Sequence, residues 1–177
     1  MALCDKIDSA RLKACIDSTG GISKIYIANF VDIISYTIGT TGSDLNKVTA
    51  INMVPGTNFY EYDFGKNTGE VNDTYTKTEE NGTAGHTTEL KLRFFKNTQP
   101  NFDQLQALLN NEMAVLFEDL NGQYWVLGEK RGVTATAAAS SYGKLVSDFN
   151  GTDLTFTATE KAFPREIVDL AVITAVI

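Results

Sequence analysis

The sequence predicts a mainly β protein: an antiparallel β-sandwich or flattened barrel with one short α-helix, at about residues 101–111, and a long protruding hairpin. Three observations predict it. Asn-Gly stands between strand-like runs at Asn81-Gly82, Asn121-Gly122 and Asn150-Gly151, and this pair supplies the positive φ angles that tight hairpin turns demand. Leu90, Leu92 and Phe94 alternate with Glu89, Lys91 and Arg93, which buries one face of a strand and wets the other. Only one clear segment has helical spacing, with Phe102, Leu105, Leu108 and Leu109 following Pro100.

Leu3, Ile7, Ala10 and Ala14 recur near helical spacing, so residues 5–16 predict a brief helix within an N-terminal arm of residues 1–20. Gly20-Gly21 ends it. Ile22 to Phe30 is rich in β-branched and aromatic residues and reads as a buried strand. Residues 31–47 read as looser chain, because Gly39, Thr40, Thr41, Gly42, Ser43 and Asp44 cluster there. Val48–Val54 is the next strand, closed by Pro55-Gly56, and Phe59–Phe64 follows with its aromatics at 60, 62 and 64 on one side. Val71–Glu80 and His86–Lys96 form the two arms of the long ribbon around Asn81-Gly82. Asn101 is the expected N-cap of the helix. Met113–Leu120 and Gln123–Leu127 flank the second Asn-Gly turn, Val133–Ala139 is a Thr/Ala strand, and Leu154–Thr159 follows the third. Phe163-Pro164 breaks that strand. The segment 165–177 is strongly apolar from Ile167 onward, so it closes the protein's own sheet or docks on a neighbour.

The chain has 177 residues, 43% of them apolar and 21% charged, which suits one folded domain with an ample core. No linker or internal repeat divides it. No run of eighteen apolar residues occurs, so no helix is expected to span a membrane. The N-terminus does not read as a signal peptide. Acids outnumber bases by 22 to 15, which argues against gripping nucleic acid or an anionic membrane.

Residues suited to catalysis are sparse. The one histidine, His86, is expected at a solvated loop tip, and no nucleophile elbow, zinc-protease, P-loop or dinucleotide motif is present. Cys4 and Cys15 have no His or further Cys to complete a zinc set and read as free thiols. The acid pairs Glu61/Asp63, Glu79-Glu80 and Glu118-Asp119 read as ordinary strand or turn carboxylates, and no calcium loop is formed. The sequence predicts neither an enzyme nor a cofactor.

Threonine is the unusual residue, with 21 copies. Thr74, Thr76 and Thr78 alternate in one strand, Thr155, Thr157 and Thr159 in another, and Thr134 and Thr136 begin a third. These positions predict a smooth hydroxyl face that is solvated, contacts other subunits or lines a passage. Asp73, Thr74, Thr76, Thr78, Asn81 and Thr87 on the ribbon, with Ile167, Leu170 and Val172 near the C-terminus, are the candidate contacts between subunits. Glu70, Glu79, Glu80 and Glu89 are the candidate acids facing a lumen.

An N-terminal arm, a strand like Gly21 to Phe30, a long mid-chain hairpin, one helix and a closing segment like Leu154 to Pro164 together resemble the major tail tube proteins of long-tailed bacteriophages. The resemblance covers most of the chain and rests on layout. It implies a β-sandwich subunit that forms hexameric rings, stacked into a hollow tail tube that contacts other tail proteins and lets DNA pass without specific binding. It also implies assembly in the host cytoplasm and residence in the virion. The alternatives are a tail terminator, a capsid decoration protein, or a non-catalytic surface-binding β module.

Overall fold

The computed structural model describes residues 18–177. The expected helix at 5–16 and both cysteines lie outside the described residues. Two β-sheets pack face to face as a sandwich. The larger sheet is built from β1 (Ile22–Asn29), β2 (Ile33–Ile38), β3 (Val48–Met53), β4 (Tyr60–Glu61), β7 (Met113–Asp119), β8 (Tyr124–Leu127) and β11 (Arg165–Ile167). Its strand order is β2-β3-β11-β8-β7-β1-β4. The smaller sheet takes β5 (Glu70–Thr78), β6 (Thr83–Phe95), β9 (Thr134–Ser141) and β10 (Gly151–Glu160), in the order β5-β6-β10-β9. Every pairing in the smaller sheet is antiparallel.

The main core lies between the sheets. Ile25, Ile27, Val115 and Phe117 from the large sheet meet Leu90, Leu92, Leu154 and Phe156 from the small one. Helix α1 (Gln99–Asn110) adds Leu105 and Leu108 to this core. A second core covers the other face of the large sheet, where Tyr26, Ala28, Leu116 and Val126 meet Phe59, Ile173 and Val176. β7 is therefore buried from Met113 through Phe117 without alternation. Strands covered on both faces lose the period-two signal for that reason.

Four expectations need correction. Residues 31–47 hold a real strand, β2, paired to β3 through Tyr36–Ile51 and Thr37–Ala50. The helix starts two residues before Asn101, with Thr98 at the N-cap. Pro100 belongs to its first turn, where the N–H that proline lacks is not needed. Asn101 instead donates its side-chain amide to the Lys96 carbonyl at 2.7 Å. Asn150-Gly151 is not a hairpin turn: Gly151 opens β10, and a side chain there would run into the Phe94 carbonyl. Gly122, by contrast, has φ +76° as a tight turn demands. Tyr60 does not share the burial of Tyr62 and Phe64, because β4 ends its sheet and leaves that ring 64% exposed. The C-terminal segment closes the protein's own sheet, the first of its two expected outcomes: β11 pairs with β8 and β3, and α2 (Leu170–Thr174) follows, capped by the Asp169 side chain on the Ala171 amide.

Candidate assembly surface

The small sheet buries one face and exposes the other. Leu90 and Leu92 on β6 and Leu154 and Phe156 on β10 point inward. Period two then places Thr87, Glu89, Lys91 and Arg93 of β6 outward, beside Thr159, Thr157, Thr155 and Asp153 of β10. On β5, Thr74, Thr76 and Thr78 join the same outer face, paired with Thr87, Gly85 and Thr83. Thr134 and Thr136 extend it onto β9, and the Thr136 and Thr157 hydroxyls hydrogen-bond at 2.9 Å. The result is a hydroxyl-lined face whose cations are matched by acids. Arg93 makes a two-point contact with Asp153, 2.7 and 2.9 Å, and Lys91 lies 3.6 Å from Glu89.

The sequence-derived contact residues divide. Thr74, Thr76, Thr78 and Asn81 are exposed, and Thr87 is half-buried on the same face. Asp73 faces the other way. It pairs across the ladder with Thr88, on the inward side with Val71 and Tyr75. Its carboxylate accepts from the Thr88 hydroxyl at 2.6 Å and lies 2.6 Å from His86 Nδ1. Asp73 is thus engaged within the subunit, and its assignment as a contact is withdrawn. His86 is likewise no loop-tip residue. Its side chain is 7% exposed and sits between the rings of Tyr75 and Phe163. These three side chains anchor the ribbon where it leaves the sandwich.

Ile167 is also withdrawn as a contact, because it is 1% exposed and paired between β8 and β3. Leu170 remains exposed and Val172 half-buried. The four candidate lumen acids are all exposed but do not form one cluster. Glu70 and Glu89 stand near the base of the ribbon, Glu70 accepting from Asn72 at 2.7 Å. Glu79 and Glu80 lie in the turn at its far end, with Glu79 3.1 Å from Lys77.

Asp119 is more than a solvated turn acid. It accepts from the Asn121 and Gln123 amides at 2.8 and 2.9 Å and from Trp125 Nε1 at 3.3 Å, which fixes the β7–β8 turn. Among the described residues no group of three or more His, Cys, Asp or Glu side chains could hold a metal ion, and no helix is long and apolar enough to cross a membrane.

Two features escaped sequence reading. β9 is an edge strand of eight residues with neither charge nor proline. α1 lies beside it, yet Thr136–Ser141 stay exposed. A cavity of about 380 Å³ also opens where β10 leaves its sheet, lined by Val126, Leu127, Phe163 and Pro164 and by the charged residues Glu129, Lys130, Glu160, Lys161 and Arg165. Glu129 is one-tenth exposed and accepts from Arg165 Nε at 2.5 Å. Burial, and then the nearby Glu129 and Glu160 charges, push the Tyr36 phenol well above its ordinary range. The apolar run in β8 was the only sequence signal for this cavity, since its walls come from distant segments.

Comparison with models of known families, with curated proteins and with solved structures gives no match in any of the three.

Proposed function

We propose that the chain is a non-catalytic structural protein that assembles with copies of itself into rings, as a subunit of a virion tail tube through which DNA passes. The observation that carries the reading is the small sheet with two free edges. Among the described residues, β5 and β9 each have a neighbour on one side only. Soluble proteins usually blunt such edges with charge, proline or bulges; β9 has neither charge nor proline, and its one irregularity against β10 falls at Thr136. β5 and β9 also run antiparallel to each other, because three antiparallel pairings separate them. A copy rotated about an axis along the strands therefore brings its β5 beside β9 in the same ladder type. Repeating that head-to-tail contact closes a ring. The outer threonine face then turns toward the axis, and its matched charges leave little unpaired cation to hold phosphate.

Negative-stain microscopy and sedimentation of the purified full chain test this. Rings or tubes are expected. A chain that stays monomeric at high concentration would overturn it.

A further inference from the structure

Asn-Gly occurs three times in the chain, at Asn81-Gly82, Asn121-Gly122 and Asn150-Gly151. The pair is chemically reactive because glycine has no side chain to shield its amide nitrogen. That nitrogen attacks the Asn side-chain carbonyl, forming a cyclic imide as the Cγ–Nδ2 bond breaks and ammonia leaves. Water then opens the imide at either carbonyl. One opening gives Asp, and the other gives isoaspartate, in which the main chain runs through the former side chain. The sequence makes the three pairs equivalent. The fold does not.

Asn121 and Asn150 are both held. The Asn121 side chain accepts from the Thr19 amide at 2.7 Å and donates to the Thr19 carbonyl at 2.9 Å. In the third pair the attacking nitrogen belongs to Gly151, which is buried within β10 between Phe95 and Ser141. Asn150 Oδ1 accepts from the Asn97 amide at 3.4 Å, and the Asn150 carbonyl accepts from the Lys96 amide at 2.9 Å.

Asn81 has none of these restraints. It is exposed at the far end of the ribbon, and its side chain makes no hydrogen bond among the described residues. Gly82 donates to the Glu79 carbonyl at 3.2 Å, much as Gly122 donates to that of Asp119 at 3.1 Å, so the turn itself does not distinguish the two pairs. The side chain does. The tip also lies beyond His86, where β10 stops pairing with the ribbon at Glu160. There β5 and β6 pair only with each other, and a two-stranded ribbon is marginally stable alone. Local opening therefore frees Gly82 without disturbing the sandwich.

We infer that Asn81 is the site at which the folded chain deamidates. The product adds a carboxylate directly after Glu79 and Glu80. Its isoaspartate form also lengthens the main chain within the turn, which displaces Gly82 from Glu79. The reaction needs only water, and the inference does not depend on the ring reading.

Peptide mapping by mass spectrometry tests it on the full chain, held in mildly alkaline buffer with and without urea until the unfolded sample has reacted. In buffer the Asn81 peptide is expected to convert first, with isoaspartate as well as Asp among its products. Asn121 must break two side-chain hydrogen bonds before it reacts, so it should lag by roughly tenfold or more. Asn150 should lag at least as far. In urea the three rates should converge, because the same pair reacts in each. A folded chain in which Asn121 or Asn150 keeps pace with Asn81 would overturn the inference. So would an Asn81 that stays intact in buffer yet converts in urea, since the turn bond from Gly82 would then be protective. An order of rates unchanged by urea would overturn it too, by tracing the difference to flanking sequence.

Discussion

The two sheets of this sandwich use similar residues under different constraints. The large sheet is covered on both faces, and its central strands β1 and β7 contribute to both cores. Among the described residues, the small sheet buries one face and leaves the other, with both edges, exposed. The large sheet is therefore where the fold is held, and the small sheet is where surface remains for other molecules. A β-branched residue stands for packing in one and for a solvent-facing position in the other.

Substitution on each sheet should separate these roles, with the largest effect in the large sheet. Leu116→Ala empties a fully buried position of the second core and should destabilise by about 2–5 kcal/mol in urea unfolding. Thr157→Ala on the outer face should stay within about 0.5 kcal/mol. Equal losses at the two positions would break the comparison, because the outer face would then be covered in the subunit itself.

The anchor at the base of the ribbon comes next. His86→Ala leaves the Asp73 carboxylate, 15% exposed, with only Thr88 as partner. A loss of about 1–3 kcal/mol is expected, and hydrogen exchange should rise in β5 before β10. Uniform exchange across the small sheet would mean that His86 serves the core as a whole.

How much of this was legible follows the same division. β6 and β10 could be read because one-sided burial writes alternation into the sequence. β2 could not: Ile33-Ile34 and Tyr36-Thr37-Ile38 mix both faces near a loop-rich stretch, and pairing with β3 decides the matter. α2 has five residues, too few to show a helical period. Among site residues, Thr74, Thr76 and Thr78 were placed correctly on an exposed face. Asp73 differs from them by one position, and in a strand that single step reverses the side. Ile167 looked like a sticky tail because its partners Val48 and Tyr124 lie far away in the chain. The free edge of β9 is a property of strand order, which no local pattern encodes.

A charge on that edge should act on assembly more than on stability. Ala139→Lys adds an exposed cation to β9 and should change unfolding by less than about 0.5 kcal/mol while preventing ring closure in sedimentation. Rings that persist with Ala139→Lys would move the subunit contact away from β9.

The smallest effect is expected at the β9–β10 loop, where one carboxylate holds the tip. The Leu145 amide first, and then that of Lys144, lower the Asp148 carboxyl below its ordinary value of 3.8. A depressed pKa means the folded loop favours the ionised form. Its contribution is therefore fully present above the unfolded value and is lost as pH falls through the lowered one. Between pH 7 and about 4 the loop should keep its order, and below that range the amides of Lys144 and Leu145 should lose protection. The cores have no part in this titration, so far-UV dichroism should stay constant across the same step. Asp148→Asn retains an acceptor oxygen but does not titrate there, so it should hold the loop at low pH where the wild type releases it. Asp148→Ala should leave the loop mobile at every pH. Amide exchange followed by NMR reads all three. Release of the loop in Asp148→Asn at the wild-type pH would assign the transition to another group, and the comparison would then lose its claim that the exposed margin of the small sheet opens independently of the cores.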